Sequence, residues 1–599
     1  MKTAISIFTL LAISVGCGPR SQDSTLDQAF DDENQVNKSG YTGALDYETL
    51  KNSFEASTER TPWTDTYWPS VNKGLSYRWA QLTSSPTSEI GLVDFLDTHL
   101  EESGKEKPSV YLSPAEKYDL IYRWRHNKEL KAETLASLRT ELAARETEIA
   151  ATEELAPKRT AIGQMNQALR KNSTALQSVL PLSRDGWTTW TNRTASPSYK
   201  YLNQAGTGDE WGWEGLCHGW APAALFAEAP KHAVKIKMDD KEILMTEGDI
   251  RGLLTYAWAN YSPRKDQYFI GRRCNLDVGD ESSRGPVDAS GRNIYGSLKK
   301  TADAAEINFS LVEELSLPWM NTSWIYGIFS GNAYFRLYTI RLHDNSAKSS
   351  YLFELNYLDK ETGRWGQMNF HADRLAQIKT FVADQNAPRP DTLASVEING
   401  CGDVNPAALH TTLIKALKED QVGFVIDRTQ SGQVWNQPVH AAQVNVKPGK
   451  SVAALIKEYP GLMKRLAPGA ATVVEVKVDL QWSYEPRGPM MDYTPEYDLR
   501  YATGPSELEY FLEFDASGRL IGGEWGTFSK PQPSSQVPDF IYGFKKGSEP
   551  MDNLSSGFDY NGIIGQIHDC SLKATADGTE VVRNSRLSYV NCEITKAAP

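Results

Sequence analysis

The sequence predicts an α+β protein, with helices and antiparallel strands in separate stretches of one long chain. Residues 113–180 repeat apolar positions at helical spacing with charges between them. Residues 330–375 and 470–545 instead alternate apolar and polar positions in short runs rich in aromatic and β-branched side chains. The length, 599 residues, allows two to four domains and a sizeable core. A net charge of −13 argues against a general nucleic-acid binder, which needs a basic face.

The first residues, MKTAISIFTLLAISVGCG, join Lys2 to an apolar stretch, Ala4–Val15, that is too short to span a bilayer. Residues 1–17 resemble a bacterial lipoprotein signal, which implies lipidation of Cys17; ordinary signal cleavage is the other reading, and both export the protein. With Gly18 after the cysteine, the resemblance implies the outer rather than the inner membrane. Residues 18–45 are a polar tether. Residues 46–198 form a mostly helical N-terminal region, with an amphipathic helix at 88–103 and a helical hairpin within 113–180. The hairpin starts at Ser113-Pro114-Ala115-Glu116, a capping residue, a proline for the first helical position and a carboxylate at the third.

The chemistry is concentrated in DEWGWEGLCHGWAPAALF, 209–226. Glycines 212, 215 and 219 permit a tight turn, and Ala221–Glu228 is helix-forming. Cys217 therefore falls at a loop-to-helix junction, where the macrodipole lowers a thiol pKa and backbone N–H groups can hold an oxyanion. Pro222 requires the helix either to start near Gly219 or to kink there. A buried structural cysteine is the alternative for the same residue. Residues 233–261 then read as a strand, a turn and a helix beginning near Asp249. The loop 277–292 holds Asp277, Asp280 and Glu281, oxygen ligands of the kind calcium takes, at a spacing that an ordinary solvated loop also explains. No metal-ligand set is assigned.

A second informative stretch is 405–444. Asn405 caps and Pro406 starts a helix over 406–418, on which Leu409, Leu413 and Leu417 recur, with His410 beside them; Gly423–Asp427 is a short strand ending in a carboxylate. A cysteine nucleophile needs a base such as imidazole and a carboxylate to orient it, so Cys217, His410 and Asp427 form the expected trio. A histidine in a helical core is the bland alternative for His410. His218, His371 and His440 are weaker candidates, since each lacks a suitably placed carboxylate or adjoins the cysteine. The remaining cysteines, Cys274, Cys401, Cys570 and Cys592, are even in number, and the preferred pairing is Cys570 with Cys592, closing a hairpin, and Cys274 with Cys401.

VWNQPV at 434–439 resembles the surface-exposed elicitor peptide of the transglutaminase elicitor family, the oomycete cell-wall transglutaminases, in which the Trp and Pro of the motif matter. Other blocks agree in the same order, CHGWAPA, DIRGLL, the His410 helix with FVID, FDASGRLIGGEW and PDFIYG, so that the resemblance covers about 199–545. It implies a papain/transglutaminase-like catalytic core, with Cys217 as nucleophile, His410 as base and Asp427 as orienting acid. It also implies a thioester with a protein glutamine, release of ammonia and transfer of the acyl group to a lysine-type primary amine, promoted by calcium, although the chemistry itself requires no cofactor. Trp220, Trp435, Asn436 and Pro438 are then channel or motif residues, with Trp211 and Trp213 as further walls. His440-Ala441-Ala442 departs from the family's basic residue, Gly and aromatic.

The expected organisation is thus a catalytic domain at 199–545 followed by a small disulfide-pinned β extension at 546–599. Such an exported protein would sit in a bacterial cell envelope and act on protein substrates or cell-wall components. Only a lipid anchor would touch the membrane, and nucleic acid is not a partner. Two alternatives remain: a cysteine peptidase or cell-wall amidase using the same trio, and a non-enzymatic surface protein.

Overall fold

The computed structural model describes residues 34–79, 112–151, 173–186, 214–271, 404–428, 434–529, 537–582 and 585–598, apart from a few positions within these ranges, together with the backbone of short strands between 315 and 400. The fold is a mixture of helix and sheet. Expectations for Cys17, Trp211, Trp213, Cys274 and Cys401, for the 88–103 helix and for the 277–292 loop lie outside the described residues.

Its centre is a nine-stranded antiparallel sheet. Across it run Leu520–Trp525, Gly504–Phe514, Thr472–Trp482, Asn436–Val446, Phe424–Asp427, Phe540–Phe544 and Gln267–Gly271, with Phe54–Ser57 and Lys450–Ser451 paired alongside. The turn expected at Asp515–Gly518 joins two of these strands; Asp515 Oδ1 accepts the N–H groups of Ser517 and Arg519, and Gly518 takes a positive φ of 84°.

Alternation along the short Phe424–Asp427 strand divides the two faces. Phe424 and Ile426 pack with Leu409, Leu413 and Tyr510 under the 406–412 helix. Val425 packs with Trp220 and Leu225 of the helix Cys217–Phe226. The helices bearing Cys217 and His410 therefore cover opposite faces of one sheet. Asn405 caps the 406–412 helix through Ala407 N–H at 2.9 Å, as expected, but the turn after Thr412 widens into a π-helix over Leu413–Glu419.

The cysteine helix packs on Glu247–Tyr261, which starts two residues before the expected Asp249 because Thr246 is the cap, in a reciprocal capping box with Asp249. The contact is close because Gly219 has no side chain: a Cβ there would lie 2.2 Å from the Thr255 carbonyl oxygen. Ser113 and Glu116 form the expected capping box at the start of Pro114–His126. The long helix Ala132–Ala151 follows.

The two chain ends are knitted into this body. Trp63, Trp68 and Trp79 belong to the same core as Trp220, and Phe54–Ser57 pairs with Val444–Ala441. Residues 46–79, read as part of a helical region, thus supply an edge strand and a strap of core tryptophans. At the other end, Ser585–Cys592 pairs in parallel with Ala233–Ile236. Cys570 and Cys592 form a disulfide, with a correction to its setting: it ties the helix Gly565–Ser571 to a strand instead of closing a hairpin. The tail is consequently helix and sheet, not β alone.

Candidate active site

Cys217 opens its helix, as the glycine-rich approach predicts, and Pro222 lies inside it rather than at its start. Proline lacks the N–H that would bond the carbonyl four residues earlier. That carbonyl belongs to His218, and the Tyr542 hydroxyl, from the neighbouring sheet strand, donates to it at 2.9 Å. The kink-forming proline is therefore accommodated by the sheet itself. The His218 side chain is exposed.

The thiol is 4% exposed and is the free cysteine among the described residues. Asn436 Nδ2 donates to Sγ at 3.2 Å, and Sγ lies 3.7 Å from the Val434 carbonyl, which accepts from the thiol. Asp427 pairs with Asn436 across the two strands, so both side chains lie on the Cys217 face. Glu485, just beyond the strand that ends at Trp482, accepts the Gln437 side-chain N–H at 2.9 Å, and its charge acts on the thiol. Asp427 and Asn436 thus stand side by side on two adjacent strands beneath the cysteine.

Burial pushes the Cys217 thiol up to about 11, and the charges of Glu485 and Asp427 add to the rise against the opposing Asn436 hydrogen bonds. This corrects the expectation of a thiol lowered by the helix terminus: desolvation and two carboxylates outweigh the dipole. Burial also pushes Glu485 up to about 7. Arg428, the adjacent guanidinium, stacks 3.8 Å from the Trp482 ring centre.

His410 is not part of this arrangement. Its ring is buried on the far face, with Nδ1 2.8 Å from the Tyr510 hydroxyl and Phe54 packed edge-on at 6.1 Å. Burial lowers it to about 4, so it is neutral at physiological pH. The expected His410–Asp427 pair fails for a simple reason: helix and strand are close in sequence, but the sheet runs between their side chains. Trp220 is likewise a core residue, fully buried with Nε1 donating to the Trp63 carbonyl at 3.3 Å, and not a channel wall. The VWNQPV segment is also largely buried, since Asn436–His440 sits inside the sheet. Trp435 is half-buried, with its ring 5.4 Å from that of Tyr67, and Pro438 pairs with Val425.

Sequence reading missed Glu485 and Tyr542. Neither stands in a recognisable spacing from Cys217; Tyr542 had a weak signal, because a proline at 222 leaves the 218 carbonyl in need of a donor. Among the described residues no group of three or more His, Cys, Asp or Glu could hold a metal ion, and no helix is long and apolar enough to cross a membrane.

Residues 381–571 match the family model of the transglutaminase elicitors. Match and motif together support membership of that family. The matched region includes His410, Asp427 and VWNQPV but not Cys217. A solved structure, the GP42 transglutaminase from Phytophthora sojae, is similar at 15% identity over 89% of this chain and 95% of that one, with a TM-score of 0.39, too low to transfer a site. No curated protein matches the chain.

Proposed function

We propose, taking the transglutaminase elicitor family as the premise, that the chain is a transglutaminase-like thiol acyltransferase with Cys217 as nucleophile. The observation that carries this reading is the free thiol at a helix start, held by Asn436 in the motif strand and facing Asp427. Sγ attacks the carboxamide carbon of a glutamine side chain; an S–C bond forms and the C–N bond breaks. The thiol proton passes by way of the Asp427 carboxylate to the departing nitrogen, which leaves as ammonia. A primary amine then attacks the thioester, its nitrogen forms the new amide bond, and the sulfur is returned as the thiol. Asn436 supports the developing thiolate with its N–H. His410, across the sheet, holds Tyr510 in this scheme rather than serving as the base.

The proposal extends to an exported protein of the cell envelope, anchored through Cys17, acting on glutamine and lysine side chains of proteins or on wall components. Calcium would act on rate, not in the bond-making steps. The test uses purified mature protein with and without calcium, a glutamine-containing protein and a fluorescent primary amine, beside Cys217→Ala. Amine incorporation that requires Cys217 is the expected result. Ammonia release or chain cleavage without incorporation would assign a hydrolase. Neither activity, with Cys217 inert to alkylation, would leave a structural cysteine in a non-enzymatic surface protein.

A further inference from the structure

Two cavities of about 550 and 530 Å3 meet at Tyr484 and Glu485, which line both. Gln437 and Trp482 line the first, and they belong to the sheet face opposite Cys217: Gln437 pairs with Ile426 and Trp482 with Val439, both in the core beneath the His410 helix. The Trp482 ring is held in place, since a Cβ at Gly504 would meet it at 2.6 Å and the Arg428 guanidinium stacks 3.8 Å from its centre. Four buried atoms of this cavity's walls have no hydrogen-bond partner among the described residues: Arg428 Nε, Trp482 Nε1, Gln437 Oε1 and Glu485 Oε1. Gln437 and Trp482 are 3% and 8% exposed, so neither side chain can turn out into bulk water. The Gln437 amide is fixed by the N–H it donates to Glu485 Oε2 at 2.9 Å, which leaves its oxygen as an acceptor. Buried polar atoms are ordinarily paired, so four together in one cavity mark a site built for a ligand.

The four atoms are two N–H donors and two oxygen acceptors, and that balance selects the chemistry of the ligand. An ammonium would satisfy only the acceptors and would face the guanidinium groups of Arg428 and Arg500 in the walls. A carboxylate or phosphate would satisfy only the donors and would face Glu485. A neutral polyol satisfies all four, because every hydroxyl both donates and accepts. The second cavity adds ring surface: Tyr484 lies 4.8 Å from Tyr501, and Tyr501 4.8 Å from Tyr497, all three half-buried. The C–H faces of a sugar pack on such rings while its hydroxyls turn to the polar atoms. We infer that the joined cavities bind a neutral oligosaccharide, one unit on Arg428, Gln437, Trp482 and Glu485 and the next against Tyr484, Tyr497 and Tyr501. The site lies across the sheet from Cys217, makes and breaks no covalent bond, and goes beyond the acyl transfer proposed above.

The experiment is isothermal titration calorimetry of the full mature chain with two neutral probes, laminarihexaose and chitohexaose, and two charged ones, hexagalacturonate and spermine. At least one neutral hexasaccharide should bind saturably, with a Kd in the millimolar range or tighter and tenfold or more below that of either charged probe. Trp482→Phe, which keeps a ring but loses the N–H, should weaken that binding several-fold. Tyr497→Ala, at a half-buried ring of the second cavity, should weaken it as well without lowering the Tm of the free protein. Binding of neither neutral probe, binding of a charged probe as tightly as a neutral one, or affinities unchanged in both variants would overturn the assignment. The wild-type comparison decides the matter even if Trp482→Phe does not fold. Binding is read with no acyl donor or amine present, so its outcome is independent of whether the chain transfers acyl groups.

Discussion

The protonation state of Cys217 is the most exposed consequence of the site, because the position at a helix start and the packed structure predict opposite signs. With the thiol raised from 9 to about 11, only about 1% of it is thiolate at pH 9, and a hundredfold less at pH 7. The Asn436 amide is the side chain that opposes this rise. Asn436→Leu removes a hydrogen bond to a charged sulfur, a loss of about 1.5–3 kcal/mol, or about one to two further pKa units. The assay is the rate of Cys217 alkylation by iodoacetamide as a function of pH, followed on the Cys217 peptide by mass spectrometry. The wild-type profile should rise through pH 10 without levelling, and at pH 9 Asn436→Leu should react roughly 10–100-fold more slowly. Stability should respond in the same direction. Below pH 9 the thiol is protonated whether folded or unfolded; between 9 and 11 the unfolded chain releases the proton and the folded one keeps it, so about 3 kcal/mol of stability is lost there relative to Cys217→Ala. A profile that levels below pH 9, or an Asn436→Leu rate equal to wild type, would refute the reasoning: the first would mean that the dipole dominates, the second that Asn436 does not touch the sulfur.

Gly219→Ala should cost about 1–3 kcal/mol in denaturant titrations, because its Cβ would meet the Thr255 carbonyl and force the two helices apart. Tyr542→Phe should cost about 1–2 kcal/mol by leaving the His218 carbonyl without its donor, and less in a Pro222→Ala background, where residue 222 regains an N–H; a double-mutant cycle with no coupling would dismiss the explanation for Pro222. Arg251→Met should lower stability by about 3–5 kcal/mol, since it strands Asp498, which Arg251 holds by two bonds of 2.6 and 2.8 Å; thermal unfolding reads this directly. Reduction of the Cys570–Cys592 disulfide, which spans 22 residues, should lower stability by about 3 kcal/mol, with Cys570→Ser plus Cys592→Ser showing the same Tm in the absence of reductant.

Local signals were legible where one short stretch contains all the partners. Ser113 and Glu116 announce their capping box, Asn405 its cap, and Asp515–Gly518 its turn, because each bond closes within a few residues. The cysteine at a helix start was legible for the same reason, and VWNQPV identified the family without locating the site. Facing was not legible. His410 and Asp427 are 17 positions apart and fall on opposite sides of a sheet, and no local periodicity says which face a helix will cover once the other strands of the sheet have assembled beside it. Nor was the thiol's charge: a helix terminus is visible in sequence, whereas burial and the carboxylate of Glu485 depend on residues 268 positions away.

By itself, then, the sequence determined a chain of mixed helix and sheet, a cysteine placed at the head of a helix, and a motif that ties the chain to one family; these follow from contacts and patterns of short range. Only the tertiary structure decided what surrounds that cysteine. Asn436 bonds it, the charges of Glu485 and Asp427 act on it and Tyr542 holds the carbonyl of the next residue, all from separate strands and loops, and the 46–79 strap and the C-terminal strand close the core around it. The physical reason is that side-chain direction in a sheet alternates with every residue, while strand pairing joins segments hundreds of residues apart. A site built across paired strands is therefore fixed by register, which exists only after the chain has folded.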